Sequence, residues 1–209
     1  MQSCGVDEAG KGPVLGPMII AIVSGDEDTL RSIGAKDSKA LSHPSRLRIF
    51  ELIKKEAGYV QWVKITSSEL NMEMEGATLN KIEEGRVSDL IKNSPCGKIY
   101  VDSFDVNEER LSKLLSGMTD KEVICRHKAD SHFYTVSAAS IVAKVIRERE
   151  MDVIRNKYGN VGSGYPSDPV TIKFLEDSIR NGTDIGDIVR THWKTYSNVL
   201  NSMRQKHLL

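Results

Sequence analysis

Neither sign of charge prevails in this chain: Lys and Arg number 29, Asp and Glu number 29, and the formal net charge is zero. That balance excludes the broad basic field common in polynucleotide-binding proteins and confines any basic surface to a local patch. Long apolar runs are missing as well. None approaches the roughly 20 residues needed to span a bilayer, and no charged leader precedes a hydrophobic segment at the N-terminus, so a soluble, cytoplasmic protein away from any membrane is expected. Cysteine is scarce: Cys4, Cys96 and Cys125 are odd in number and lack a CxxC spacing, which argues against a disulfide framework and for a reducing compartment. His43, His127, His132, His192 and His207 have no spacing that would build a zinc site. Repeats, low-complexity tracts and long linkers are absent. With 209 residues and 39% hydrophobic content, one domain over residues 1–209 is expected, with about 168–209 as a C-terminal helical extension and a monomer as the default from size.

What is present is an alternation of β-branched apolar runs with segments of helical period, the pattern of an α/β sheet flanked by helices. Strands are expected near Ser3–Asp7, Met18–Ser24, Tyr59–Thr66, Lys98–Asp102 and Glu122–His127, the first two joined as a hairpin. Pro44 opens a helix with the stripe Leu47, Phe50, Leu52 and Ile53, and Thr66 with Glu69 reads as a capping box for a helix reaching about Ile91, interrupted near Gly76. A long helix runs from His132 to about Tyr158, its small residues Ala138, Ala139 and Ser140 allowing close packing on the sheet. Asp168 before Pro169 caps a further helix that Gly182 ends, and a last one spans about Thr191 to Arg204.

The chemistry concentrates in Gly5-Val6-Asp7-Glu8-Ala9-Gly10-Lys11-Gly12-Pro13. Two adjacent carboxylates close an apolar strand, and a glycine-rich loop follows at once. Carboxylates collect hard cations, while glycine lets a polynucleotide approach main-chain atoms with no Cβ in the way. Asp102 ends Lys98-Ile99-Tyr100-Val101-Asp102, and strand ends are where ligand chemistry gathers in α/β sheets. Asp130 precedes the long helix. On their own, Asp102 reads more readily as a turn or N-cap residue, and a cap is the default reading of Asp130. If the three segment ends converge, four carboxylates meet in one pocket, where mutual repulsion raises their pKa values unless divalent cations neutralise them.

The motifs Gly5-Val6-Asp7-Glu8-Ala9-Gly10, Asp37-Ser38-Lys39, Thr78-Leu79-Asn80, Ile99-Tyr100-Val101-Asp102, His127-Lys128-Ala129-Asp130, Ser137-Ala138-Ala139-Ser140-Ile141 with Ala143-Lys144-Val145, and Gly162-Ser163-Gly164-Tyr165-Pro166 stand in the order of the type 2 ribonuclease H family, ribonuclease HII. The chain resembles its archaeal members. That resemblance implies a ribonuclease H-like fold, a five-stranded mixed sheet flanked by helices, and an endonuclease that cleaves the RNA strand of RNA–DNA hybrids and incises duplex DNA at embedded ribonucleotides, leaving 3′-hydroxyl and 5′-phosphate ends. It implies that Asp7, Glu8, Asp102 and Asp130 are catalytic and hold two Mg²⁺ or Mn²⁺ ions. It also implies that Gly10, Lys11, Gly12 and Tyr165 sense the ribose 2′-hydroxyl, and that Lys39, Asn80, Ser140 and Lys144 contact substrate.

The chain departs from the family pattern at Lys11, where arginine is usual, so a point charge replaces a two-pronged fork. Tyr134 and Thr135 stand where proline and valine are usual, which is expected to loosen the segment presenting Asp130. The C-terminal Gln205-Lys206-His207-Leu208-Leu209 lacks the aromatic pair of a good sliding-clamp peptide, so a clamp partner is not supported by it. Two other readings stay open: a nucleic-acid-binding protein of the same fold without turnover, and a related nuclease acting on DNA junctions or damaged DNA.

Overall fold

The computed structural model describes residues 3–35 and 41–206, the side chains from 204 onward excepted. Lys39 and its Asp37-Ser38 neighbours therefore lie outside the described residues. The five expected strands form at β1 (Ser3–Ala9), β2 (Met18–Ser24), β3 (Tyr59–Ile65), β4 (Lys98–Asp102) and β5 (Glu122–Arg126). They pair in the order β3-β2-β1-β4-β5. β1 and β2 are antiparallel, whereas β1 with β4 and β4 with β5 run parallel, which makes the sheet mixed. The helices are α1 (Glu27–Ser32), α2 (His43–Glu56), α3 (Ser67–Glu73), α4 (Leu79–Lys92), α5 (Glu108–Thr119), α6 (Tyr134–Tyr158), α7 (Pro169–Asn181) and α8 (Lys194–Lys206).

Most boundaries follow from local chemistry. The Thr66 side chain accepts from the Glu69 amide while Glu69 reaches back to the Thr66 N–H at 2.7 Å, completing the capping box of α3. The predicted continuation to Ile91 divides at Gly76 into α3 and α4. Asp168 caps α7, and Gly182, at φ 63°, ends it. Two helices escaped the periodicity reading, α1 and α5. α5 is demanded by topology, because parallel strands cannot be joined by a tight turn and β4 needs a crossover to reach β5. Its ends are marked by Asn107, which accepts from Arg110 N, and by Asp120 in the left-handed region at φ 54°.

The chain divides into two compact units. The first comprises residues 1–9, 19–63 and 80–146 and contains nearly all of the sheet. Its core packs Ile19, Ala21 and Val23 of β2 with Phe50 and Ile53 of α2 and with Ala138, Ala139 and Val142 of α6. Small residues on α6 permit very close approach: a Cβ on Gly5 would sit 2.1 Å from Val136 N, so only glycine fits where the first turn of α6 crosses β1. The second unit comprises residues 10–18, 64–79 and 147–209. Val14, Leu15, Met151, Val161, Leu175, Ile188, Val189 and Val199 form its core. Among the described residues no helix is long and apolar enough to cross a membrane.

The cysteine expectation is corrected. Cys4 and Cys96 form a disulfide with Cα atoms 5.9 Å apart, and only Cys125 is free, buried, its thiol pushed up to about 11 by burial. The reason is strand register: Cys4 stands opposite Ile99 in the β1–β4 pair, so the turn leading into β4 delivers Cys96 to it. Spacing along the chain carries no trace of that juxtaposition. Because the bond closes a sequence separation of 92 residues, its restriction of the unfolded chain contributes about 4 kcal/mol. Reduction, or Cys96→Ser, is expected to lower Tm by about 10 °C in calorimetry, with the native circular dichroism spectrum retained at room temperature.

Candidate active site

β1 and β4 lie side by side and parallel, with Val6 opposite Val101, so both strands bring a carboxylate to the same end of the sheet in the next position, Asp7 and Asp102. Asp7 is buried, 6% exposed, and accepts a hydrogen bond from the Glu8 N–H at 2.8 Å. Its pKa is pushed up to about 7, first by burial. The Ser140 hydroxyl donates to it and opposes the rise, the Asp102 charge adds to the rise, and the Glu8 N–H and the Lys144 charge oppose it in turn. The expectation of mutual repulsion is thus met only as a secondary cause, with desolvation leading. Ser140 and Lys144 are four residues apart on α6 and share the helix face turned to Asp7.

Asp102 reaches across to the following segment, its Oδ1 accepting the Ala129 N–H at 2.9 Å. Lys128 makes this possible by adopting φ 57°, unusual for a side-chain-bearing residue, after which Ala129–Ser131 close a single 3₁₀ turn. Asp130 sits in that turn, 5% exposed, ahead of α6 rather than as its cap. The Tyr134 N–H, which a proline would lack, donates to Glu27 Oε2 at 3.0 Å, and Phe133 stacks on Tyr100 with ring centroids 3.8 Å apart. These two contacts secure the segment presenting Asp130 where the sequence suggested loosening.

Glu8 follows Asp7 directly and is half-buried. Among the described residues no three His, Cys, Asp or Glu side chains come together as a ready-made metal cage. The structure brings Asp7 and Asp102 into interaction and carries Asp130 on the turn that Asp102 binds. That donor set suits Mg²⁺, which is commonly held by one or two carboxylates while keeping several waters. Asn80, at the start of α4, hydrogen-bonds Asp105, whose carboxyl is held below the usual range first by the Arg110 guanidinium and then by the Asn107 N–H.

In the second unit, Gly10 takes φ 86° and begins the loop that leads to Pro17. Val14 and Leu15 both donate backbone N–H groups to the Gly164 carbonyl, at 2.8 and 3.3 Å. The turn bearing Tyr165 is itself held by Asp168 Oδ2, which accepts from Ser163 N at 2.7 Å, and by Thr171 Oγ1, which accepts from Gly164 N at 2.9 Å. Tyr165 is 40% exposed. A Cβ on Gly12 would stand 3.8 Å from Tyr165 Cε1, so the predicted sugar-sensing loop and tyrosine adjoin. Two residues absent from the sequence reading lie against them: Arg147 and Arg190, 7% and 0% exposed. Nothing in Ile146-Arg147-Glu148 or Val189-Arg190-Thr191 distinguishes these from solvated arginines.

A family model described as ribonuclease HII matches residues 4–196. The ribonuclease HII of Thermoplasma volcanium is 50% identical over 196 residues, 94% of this chain and 92% of that protein. The ribonuclease HII of Picrophilus torridus is 46% identical over 200 residues, 96% and 98% of the two chains. Among solved structures, the ribonuclease H2 of Pyrococcus horikoshii OT3 superposes with a TM-score of 0.90 at 37% identity, covering 98% of this chain and 99% of that one. The PCNA:RNase HII complex from Archaeoglobus fulgidus gives a TM-score of 0.89 at 42% identity, covering 93% and 96%. At 21% identity, Bst-RNase HIII in complex with Mn²⁺ shares the fold, with a TM-score of 0.81 over 98% of this chain and 71% of that one.

A raised carboxyl pKa has a definite sign for stability. Between the unfolded value near 3.8 and the folded value near 7, the folded chain retains a proton that the unfolded chain releases, so stability falls as pH rises through that window. In EDTA, Asp7→Asn is therefore expected to raise Tm at pH 8 by about 5 °C or more and to leave it nearly unchanged at pH 4. An equal change at both pH values in thermal melts would contradict the assigned cause.

Proposed function

The chain belongs to the ribonuclease HII family, endoribonucleases that cleave the RNA of RNA–DNA hybrids, and from that premise we propose that it hydrolyses phosphodiesters with Asp7, Glu8, Asp102 and Asp130 as ligands of two divalent ions, Mg²⁺ or Mn²⁺. We propose further that it incises duplex DNA at an embedded ribonucleotide and leaves 3′-hydroxyl and 5′-phosphate ends. The observation that carries this reading is the interaction of two carboxylates, one of them buried, at adjoining ends of parallel strands. When bound, such ions supply a lowered pKa for water and charge stabilisation for the phosphate and leaving oxygen, so no side-chain nucleophile is required.

The chain's own residues set the stage for that chemistry. Ser140 orients the Asp7 carboxyl by donating to it, and Lys144 offsets part of the negative charge gathered there. Asp102 uses one oxygen on the Ala129 N–H, which fixes the carboxylate plane and ties β4 to the segment carrying Asp130. In the second unit, Gly10, Lys11 and Gly12 present backbone to the ribose while the exposed Tyr165 offers a hydroxyl to its 2′-oxygen, the group that distinguishes RNA from DNA. Asn80, held by Asp105, and Lys39 serve as contacts to the nucleic-acid strands. The Archaeoglobus fulgidus relative was solved with PCNA. A monomer is proposed from size alone, and residues 205–209, with no aromatic pair, do not themselves support a clamp contact.

Incubation with Mg²⁺ and either an RNA–DNA hybrid or a DNA duplex bearing one ribonucleotide is expected to yield incision of both, abolished by EDTA. An all-DNA duplex is expected to stay intact. Asp7→Asn and Asp102→Asn should each lower kcat about a thousandfold, the scale of removing about 4 kcal/mol of transition-state stabilisation. Wild-type cutting no faster than Asp7→Asn would instead identify a binding protein of this fold.

A further inference from the structure

Among the described residues Arg190 is the largest fully buried side chain. It spans the glycine loop from behind: Nε donates to the Gly16 carbonyl at 2.9 Å and Nη1 to the Lys11 carbonyl at 3.2 Å, while its backbone N–H donates to the Val14 carbonyl at 2.9 Å. The planar fork is what allows one side chain to fasten two carbonyls five residues apart, a reach that an ammonium lacks. Arg147 performs the matching task on the other side. Its guanidinium lies 5.2 Å from the Tyr165 ring centre, and Nη2 donates to the Ser163 carbonyl at 3.2 Å. Its side chain fills the space beside Gly10, where a Cβ would meet Arg147 Nε at 2.6 Å and Cδ at 2.7 Å, and reaches Gly164, where a Cβ would lie 3.3 Å from Nη2 after first meeting the Leu15 carbonyl at 2.7 Å.

Among the described residues neither arginine lies within ion-pair distance of a carboxylate, and Arg190 Nη2 and Arg147 Nε are buried without a hydrogen-bond partner. Two buried like charges weaken each other, and burial followed by the Arg147 charge lowers the Arg190 pKa to about 9. Packing alone would favour apolar side chains of similar volume in these places. What the guanidiniums provide that apolar groups cannot is a set of directed contacts to loop carbonyls and to the tyrosine ring.

We propose that Arg147 and Arg190 are positioning residues that hold the Gly10–Gly12 backbone and Tyr165 in one mutual arrangement and thereby set the discrimination between ribose and deoxyribose. This rests on the reading that the loop and Tyr165 sense the 2′-hydroxyl. The two residues touch no reacting atom, so they act on binding selectivity and leave the hydrolytic step to the carboxylates.

The test measures kcat and KM on a duplex with one ribonucleotide, and the inhibition constant of the all-DNA duplex of identical sequence, for wild type, Arg190→Lys and Arg147→Lys, each first shown folded by circular dichroism. Wild type is expected to favour the ribonucleotide duplex strongly. In the variants the ratio of the DNA inhibition constant to KM should fall about tenfold or more while kcat stays within about threefold, the split expected when binding rather than chemistry is disturbed. Should Arg190→Lys fail to fold, Arg147→Lys, which keeps the charge and the aliphatic stem, still reads the ratio. A variant ratio equal to wild type, a fall in kcat with the ratio preserved, or an unfolded Arg147→Lys would overturn the assignment. A wild-type ratio near one would instead remove the ribose-sensing role itself.

Discussion

A carboxyl group buried at the end of the central strand is the constraint to which the rest of the first unit answers. Asp7 reaches that position because β1 is the middle strand of the sheet, flanked by β2 on one side and β4 on the other. Burial raises its proton affinity and the neighbouring Asp102 raises it further, so the ionised Asp7 carboxylate is unfavourable in the protein alone. The surrounding elements moderate that penalty without removing it: Ser140 and Lys144 come from one face of α6, and α6 can approach so closely only because Gly5 and the alanines at 138 and 139 remove bulk between helix and sheet. If a divalent cation binds there as proposed, the charge state of these carboxylates is tied to the presence of the ion.

The segment after β5 follows the same logic by different means. Asp102 accepts an amide from the 129–131 turn, which requires Lys128 to turn the chain with a positive φ. A side-chain-bearing residue in that conformation persists only where neighbouring contacts over-determine it. Here those contacts are the Phe133–Tyr100 stack and the Glu27 carboxylate on the Tyr134 amide. Glu27 belongs to α1, so a helix of six residues with no evident role in the sequence anchors the start of α6.

How much could be read in advance varied with how local the cause was. All five strands were visible as β-branched runs, and the caps at Thr66 and Asp168 fixed helix starts, because both signals lie within a few residues of one another. α5 was missed because its necessity comes from the parallel direction of β5 relative to β4, a property of the sheet and not of residues 108–119. The Cys4–Cys96 bond was misjudged for the same kind of reason, since register across a separation of 92 residues leaves no imprint on spacing. Asp7 and Asp102 were legible as residues toward strand ends, and their adjacency follows from the parallel β1–β4 pairing. The balance of forces on Asp7 was not, because desolvation depends on what covers the group.

The two buried arginines also change what the glycines in the second unit mean. From sequence, Gly10 was read as leaving room for a polynucleotide to approach the backbone. In the structure its missing Cβ is first of all room for Arg147, whose Nε would be 2.6 Å away, whereas a Cβ on Gly164 would first meet the Leu15 carbonyl at 2.7 Å, with Arg147 Nη2 next at 3.3 Å. A glycine that serves the protein's own packing and one that serves a ligand impose different constraints. The first fixes where Arg147 lies, which fixes the plane against which Tyr165 rests and the carbonyl of Ser163. On the proposed reading, any ligand contact made by the loop inherits its geometry from a buried guanidinium, and selectivity toward the sugar depends on residues that the sugar does not meet. Under that proposal the carboxylate pair serves the phosphodiester alone, and recognition and hydrolysis fall to separate sets of side chains, the first in residues 147–209 and 10–18, the second in residues 1–9 and 80–146.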